Sequence, residues 1–505
     1  MGAAFHFPLF IIFIPMMASI VMPLLKNTET ARAITLGVQL VLIMLSLGLV
    51  AALWNAPAAY FIYLMGYFPS PWGNEVRAGL FEAILALTFS TVLLFCILGT
   101  GYDTKKDVPE SKRSLFYCLI NLLNCSLMAL VFANDIFTAY VFIEVNTLAA
   151  CAIVVVKENR DTLKATIKYL FLSVMGSGLF LMSTALLYGI TGHLLMEPIN
   201  DSITVLVATG EYYFPLTLTM LLFIVSLAVK SALFPFHTWL PEAHGSATTA
   251  ASAILSGLVV KGYVVMLMKM IYRVYGVDTL AALGVFHVLF LLGITGMVAG
   301  SVMACFQTRI KRLIAYSSVG QIGYIFMGMG LYTQGGFVAA GYHIIAHAFT
   351  KSMLFIAAGA LISASGSYNI ADLTGAARKN KMAGIAFTVG ALSMVGIPLF
   401  AGFVSKFYLA GAAVQGQHSI WITLPVLAIS TFLNGLYYFP VLVRIYSKPE
   451  EEAGDAVPAA AVVAKPVPSF AANFTLVCLI AANVALGVLF APLLAAIEVG
   501  FIWLG

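Results

Sequence analysis

The sequence predicts an all-α, polytopic membrane protein of about fourteen transmembrane helices, forming one membrane domain over residues 1–505. Three observations lead there. Hydrophobic residues make up 61% of the chain and charged residues 9%, where a soluble domain carries about 25% charged, and mean hydropathy is +1.00. Fourteen apolar runs approach the roughly 20 residues that a helix needs to cross a bilayer. No succession of alternating segments of about 10 residues, the mark of a membrane barrel, accompanies them.

In order, the runs lie near 7–25, 33–54, 79–99, 115–133, 136–156, 166–190, 214–234, 248–271, 281–305, 312–331, 337–362, 384–409, 421–443 and 473–497. The first is expected to stay as a span rather than be cleaved as a signal peptide, because no positive charge precedes it and Lys26 and Arg32 follow it. The stretch 99–113 reads as a charged surface loop, and the Pro/Ala-rich stretch within 444–472 as a flexible cytoplasmic linker before the last helix. All six cysteines fall inside or at the ends of apolar runs and none forms a CxxC pair, so they read as small buried hydrophobes. No Walker or dinucleotide fingerprint occurs. The chain is therefore expected to carry no cofactor, no metal and no catalytic chemistry of its own.

The charges give orientation. Of 26 Lys and Arg, eighteen sit in odd-numbered inter-span loops and three (Arg77, Lys269, Arg273) in even loops or the span ends beside them. The positive-inside rule then places odd loops in the cytoplasm and both termini on the extracytoplasmic side of the cell inner (plasma) membrane. The net charge of +5 is spread over loops rather than gathered in one patch, so nucleic acid is not an expected partner.

Five lysines are left over: Lys168, Lys230, Lys261, Lys351 and Lys406, each within a span. Among the acids only Glu144 reads as deeply placed. An ionisable group at a helix centre costs about 2.5–3.5 kcal/mol on insertion scales and mostly faces a bundle interior or a wet cavity. Lys261 and Lys351 lie too deep to reach the membrane surface easily, and a desolvated amine gives up its proton more readily than one in water. Five such lysines with one carboxylate point to an ion pathway.

Two of them stand beside helix breaks. Lys230 precedes FPFHTWLP, whose Pro235 and Pro241 interrupt span 7, and Lys406 closes GIPLFAGFVSK, whose Pro398 interrupts span 12. A charge at a broken helix is a recurrent arrangement at transporter sites. The two spans are five apart, and an odd offset reverses direction across the membrane. Spans 4–8 (115–271) and 9–13 (281–443) are thus expected to be inverted repeats. Lys168 lies nearer the cytoplasmic end and reads equally as a proton-uptake point or an anchor. His237 and His244 flank TWLPEA and lack the further ligands a zinc site needs. His343, His347 and Lys351 recur at i, i+4 and i+8 and so share one helix stripe about 12 Å long.

The stretches VFIEVNTLAA, ATIKYLFLSVMGSG, VKSALFPFHTWLPEAH, SGLVVKGY, IKRLIAYSSVGQIGYIFMGMG, YHIIAHAFTKSMLF and GIPLFAGFVSKF occur between about 142 and 408. In content and order they resemble the antiporter-like subunits shared by respiratory complex I, Mrp-type cation/proton antiporters and membrane-bound hydrogenases. Lysine at 406 resembles most the branch formed by the D-type Mrp and the hydrogenase-type subunits. The resemblance implies two inverted five-helix repeats, each with a broken helix. It implies that Glu144 pairs with Lys230, that Lys261 connects the halves, and that His343, His347 and Lys351 lead to Lys406. It also implies other integral membrane subunits as partners and protons as the transported ion, with sodium as a second candidate and membrane lipid around the whole. The expected function is proton translocation within a multisubunit energy-converting complex. A self-contained cation/proton antiporter or small-solute transporter is the alternative, and a non-conducting scaffold a third class.

Overall fold

A computed structural model describes residues 4–25, 27–54, 56, 60–68, 73–416, 420–448 and 469–504. It is almost wholly helical. The elements are α1 (Phe7–Val21), α2 (Thr28–Trp54), a hairpin of β1 (Phe61–Leu64) and β2 (Glu75–Ala78), α3 (Leu80–Gly99), α4 (Gly101–Asp107), α5 (Glu110–Phe132), α6 (Ile136–Val155), α7 (Arg160–Thr191), α8 (Met196–Ala208), α9 (Tyr213–Lys230), α10 (Trp239–Ser246), α11 (Thr249–Ile254) and α12 (Val260–Lys269). They continue with α13 (Val277–Ala282), α14 (Val285–Cys305), α15 (Ile310–Gly330), α16 (Gln334–Ser365), α17 (Ala376–Lys379), α18 (Lys381–Val395), α19 (Ala401–Gln415), α20 (Ile420–Tyr446), α21 (Phe470–Val488) and α22 (Phe490–Ile502). Most of the expected linker, residues 449–468, lies outside the described residues.

Twelve described helices are long and apolar enough to cross a membrane. The two other expected spans are also helical. One is α15, which is less oily because Ser317, Ser318, Gln321 and Tyr324 face inward and are buried. The other is divided into α18 and α19.

Loops meet in two opposite layers. On one face, Lys157 pairs with Asp107 at 2.8 Å, Arg309 bridges Asn369, and Gly375 N–H donates to the Arg444 carbonyl. This layer gathers the odd loops and is called the basic face below. On the other face, Val76 bridges Ala133, Asp135 bridges Leu195, and Arg77 donates to the Trp503 carbonyl. The described N-terminal segment packs there as well, Phe5 against Phe61 and Tyr63 of the hairpin.

Two helices of 32 residues, α7 and α16, stand out. At 1.5 Å per residue each is about 48 Å long, more than the roughly 30 Å hydrocarbon core, so each must tilt or project. Each starts on a side-chain cap, Asn159 for α7 and Thr333 for α16, and each ends on a glycine in the left-handed region, Gly192 at φ 74° and Gly366 at φ 82°. The segment Thr249–Tyr275 (α11, a π-helical turn, α12, a second π-helical turn) is buried except for part of Tyr272 and α16 nearly so, whereas most of α21 is open to lipid or a partner. The spans that bear Lys261 and Lys351 are therefore the innermost of the bundle.

The two expected breaks are present. Between α9 and α10 the chain unwinds through Ser231–Phe234, with Ala232 at φ 57° and a cis Phe234–Pro235 peptide. Pro241 does not break anything. It lies in the first turn of α10, where no backbone N–H is required. Between α18 and α19 the chain turns through Gly396 (φ 93°) and Leu399 (φ 79°), flanking Pro398. A third break was not among the expectations. The last expected span divides at Leu489 into α21 and α22, and Gly487 packs so closely on the Leu399 backbone that a Cβ there would overlap its carbonyl. Gly487→Ala should destabilise the protein by about 1–3 kcal/mol through overpacking, read as a fall in the thermal-shift midpoint in detergent.

Candidate ion-translocation site

The two breaks each present a lysine to the end of a half-helix. Lys406 Nζ donates to the Met394 and Val395 carbonyls at 2.9 and 2.7 Å, the last carbonyls of α18, and to Thr431 Oγ1 at 3.3 Å. A cation at a helix C-terminus sits in the negative end of the helix dipole. Its amine also stands 5.2 Å from the centroid of the Tyr324 ring. Lys230 is the last residue of α9 and is fully buried. The chain leaves the helix immediately after it, and Trp239 Nε1 caps the Val229 carbonyl at 3.0 Å while its indole stacks on Tyr169 at 4.0 Å.

Glu144 and Lys230 face each other at 3.8 Å, Oε1 to Nζ. The lysine is completely buried, whereas the carboxylate side chain is 25% exposed at the outer wall of the bundle. Lys230 Nζ also donates to Thr147 Oγ1 at 2.6 Å, and that hydroxyl lies 3.4 Å from the Tyr263 hydroxyl. Tyr263 belongs to α12, two residues beyond Lys261, so the pair reaches the innermost span through two hydroxyls.

Lys261 follows the π-helical turn Leu255–Val259, and its Nζ donates to the Ser256 carbonyl inside that turn. Such turns shift backbone carbonyls off the regular ladder. Ser256 and Ser318 share a 2.9 Å hydroxyl bond that links this turn to α15. Lys351 Nζ donates to Ser317 Oγ and, at 3.0 Å, to the Ile314 carbonyl, also on α15.

His343 and His347 lie nearly parallel with centroids 5.6 Å apart. His343 Nδ1 meets Ser405 Oγ at 2.8 Å, next to Lys406, and its ring stacks near Tyr324 at 5.7 Å. His343 Nε2 and both nitrogens of His347 have no protein hydrogen-bond partner among the described residues. Buried polar atoms of this kind are usually met by internal water. The structure thus places Lys230, Lys261, Lys351, His347, His343 and Lys406 as buried amines and imidazoles among hydroxyls, with Glu144 at the partly exposed end beside Lys230. Lys168 stands outside it. It pairs with Glu242 of α10 at 2.6 Å, both side chains more than a third exposed.

Three sequence readings need correction. Arg77, Lys269 and Arg273, read as lying in even loops or at the span ends beside them, are buried, and Glu144 is not the only deep carboxylate. Glu82, in the first turn of α3, is fully buried and ion-paired with Arg273, which also donates to the Leu504 carbonyl at 2.7 Å. Lys269 Nζ donates to the Leu130, Val131 and Ala133 carbonyls at the end of α5. Lys311, placed in a loop by hydropathy, is buried in the first turn of α15. The available signal was spacing, since Lys261, Lys269 and Arg273 recur at i, i+8 and i+12. The distance of Lys269 and Arg273 from the span centre masked it.

Residues 133–433 match the family model described as NADH:quinone oxidoreductase/Mrp antiporter, transmembrane. The chain is 30% identical over 486 residues to the N-type NADH-quinone oxidoreductase subunit of Desulforudis audaxviator, covering 93% of this chain and 91% of that one. It is 29% identical over 358 residues to the D-type Na(+)/H(+) antiporter subunit of Alkalihalophilus pseudofirmus, covering 70% of each. Among solved structures, a chain of an archaeal membrane-bound sulfane sulfur reductase superposes with a TM-score of 0.85 at 24% identity, covering 98% of this chain and 97% of that one. A chain of the Mrp complex from Dietzia sp. DQ12-45-1b superposes with a TM-score of 0.86 at 20% identity, covering 99% and 97%.

Proposed function

Because this chain belongs to the NADH:quinone oxidoreductase/Mrp antiporter transmembrane family, we propose that it carries protons across the cell inner membrane as one subunit of a multisubunit energy-converting complex. The observation that carries this reading is the buried line from Lys230 to Lys406, with Glu144 at its partly exposed end. Lysines are almost never fully buried unless paired, yet here Lys230, Lys261 and Lys351 are fully buried and Lys406 nearly so. Among the described residues, only Lys230 of these four has a carboxylate within 4 Å.

In this mechanism a proton is taken up from one side, moves between Lys261, Lys351, His347, His343 and Lys406, and leaves on the other side. Separation or closure of the Glu144–Lys230 pair changes the field on the neighbouring amines, and a partner subunit supplies the drive. The basic face is cytoplasmic and both termini are extracytoplasmic, following the excess of Lys and Arg in the odd loops. Spans 4–8 and 9–13 are inverted repeats. In support, the long helices α7 and α16 and the two lysine-bearing breaks recur with the same offset of five spans.

Purification through a tag on this chain should bring other integral membrane subunits with it. In inside-out vesicles, Lys230→Ala in a normally assembled complex should slow proton uptake at least about tenfold, equivalent to ~1.4 kcal/mol in the barrier. Pumping at the unmodified rate, or full transport by this chain alone in liposomes, would overturn the proposal.

A further inference from the structure

A buried line at the membrane midplane needs a route from the basic face, and none of the residues in that line supplies one. Asp103 stands where such a route would start. It lies on the short helix α4, outside the spans, and is partly buried beneath α16. Ser363 Oγ of α16 donates to its Oδ1 at 3.4 Å, and Thr249 at the start of α11 packs close by. Gly359 of α16 leaves the space for this contact, since a Cβ there would overlap Thr249 and come 3.0 Å from Asp103 Oδ2.

The groups behind Asp103 lead inward. Lys311, buried in the first turn of α15, donates to the Ala247 carbonyl at 3.2 Å and stands 6.0 Å from the Tyr368 ring centroid. Three residues before Ala247 is His244. Its ring is fully buried, stacks on Phe355 with centroids 4.7 Å apart, and has no protein hydrogen-bond partner at either nitrogen among the described residues. Lys311, Lys351 and Lys261 all act electrostatically on that ring. His244 therefore sits between the basic face and the two central lysines, with both nitrogens free to exchange protons through water.

Resting on the proton-carrying reading above, we propose that Asp103 is the carboxylate that loads protons from the basic face into the buried line, passing them by way of Lys311 and His244 to Lys261 and Lys351. A proton from bulk water binds the Asp103 carboxylate, and the acid then gives it up inward. His244 accepts at one nitrogen and releases from the other, so each transfer moves one proton and changes no covalent bond between heavy atoms. The electrostatics suit a collector. Burial pushes the Asp103 carboxyl up from the ordinary carboxylate range, and Lys311 limits that rise. The other charged groups around it are Asp107 and Lys106 on α4, Lys157 (paired with Asp107 at 2.8 Å) and Arg32 of α2 beside Gly101.

The test is proton uptake by inside-out vesicles carrying the complete complex, measured against pH on the basic face. Asp103→Asn should pump more slowly, with a deficit that deepens as pH rises, because a collecting carboxylate matters most when free protons are scarce. Asp103→Glu should restore the unmodified profile. A structural role would lower the rate equally at every pH. If Asp103→Asn fails to assemble, Asp103→Ser carries the test and should show the same alkaline deficit. An unchanged or pH-independent profile would overturn the inference. The two readings separate on Lys261→Ala: if it is inactive while Asp103→Asn is normal, only the loading role fails, and if it pumps normally both fail.

Discussion

Lys261→Ala should leave the complex assembled and stop proton transfer. The two halves of the expectation rest on different physics. The amine is fully buried, donates a hydrogen bond to the Ser256 carbonyl, and lies mid-span on the innermost helix. Holding an ionisable group there costs about 2.5–3.5 kcal/mol on insertion scales. Removing it relieves that cost, while truncation of the apolar stem leaves a cavity worth roughly 2–5 kcal/mol against it. The net change in stability should thus be small, and the thermal-shift midpoint and the set of co-purified subunits should match the unmodified complex. Transport has no such compensation. Lys261 is the amine between the Glu144–Lys230 pair and the Lys351–His347 group, and alanine cannot hold a proton. Uptake in inside-out vesicles should fall by at least about a hundredfold, equivalent to ~2.7 kcal/mol. Lys261→Arg should be nearly as poor, because guanidinium does not release its proton. Normal pumping by an assembled Lys261→Ala complex would remove the central element of the mechanism.

Arg273→Met should be the most destabilising of these single changes. It strips the partner from a fully buried carboxylate, Glu82, and removes the donor that holds the Leu504 carbonyl at 2.7 Å. Removing one member of a buried pair typically costs about 3–5 kcal/mol, because the other charge is left uncompensated. Replacing both is far milder, so Glu82→Leu with Arg273→Met should recover most of the lost thermal stability. A double variant no more stable than Arg273→Met would show that the anchoring of the C-terminal helix, and not the ion pair, dominates.

Hydropathy, loop charge and the prolines were enough to reveal the helical segments, twelve of them long and apolar enough to cross a membrane, the two faces and both lysine-bearing breaks, since each is a property of one helix read along its own axis. The axial residues were legible for the same reason: a charge at mid-span has nowhere to go. What hydropathy cannot see is the neighbour that covers a helix end. Lys269, Arg273, Glu82 and Lys311 sit within a turn or two of a span end, which reads as wet. The hairpin, the C-terminal helix and the α10–α11 turn pack over them and make the position dry. The break at Leu489 was marked by Gly487 and by Pro492 in the first turn of α22, but both were hidden in an otherwise continuous apolar run. There Gly487 also lets α21 approach the α18–α19 turn closely.

The lysine cradled by the end of α18 has a mechanical side. While Lys406 carries its proton, one ammonium ties together the Met394 and Val395 carbonyls and, across the turn, its own helix α19. When the proton departs, the amine keeps two hydrogens for three acceptors and loses the charge that made them strong. The stub of α18 is then less firmly latched to α19 at a turn whose Leu399 is already held in the left-handed region. Occupancy by a single proton would thereby set how stiff this joint is, and a neighbouring subunit resting on the α18–α19 turn could feel each transfer as a change in compliance.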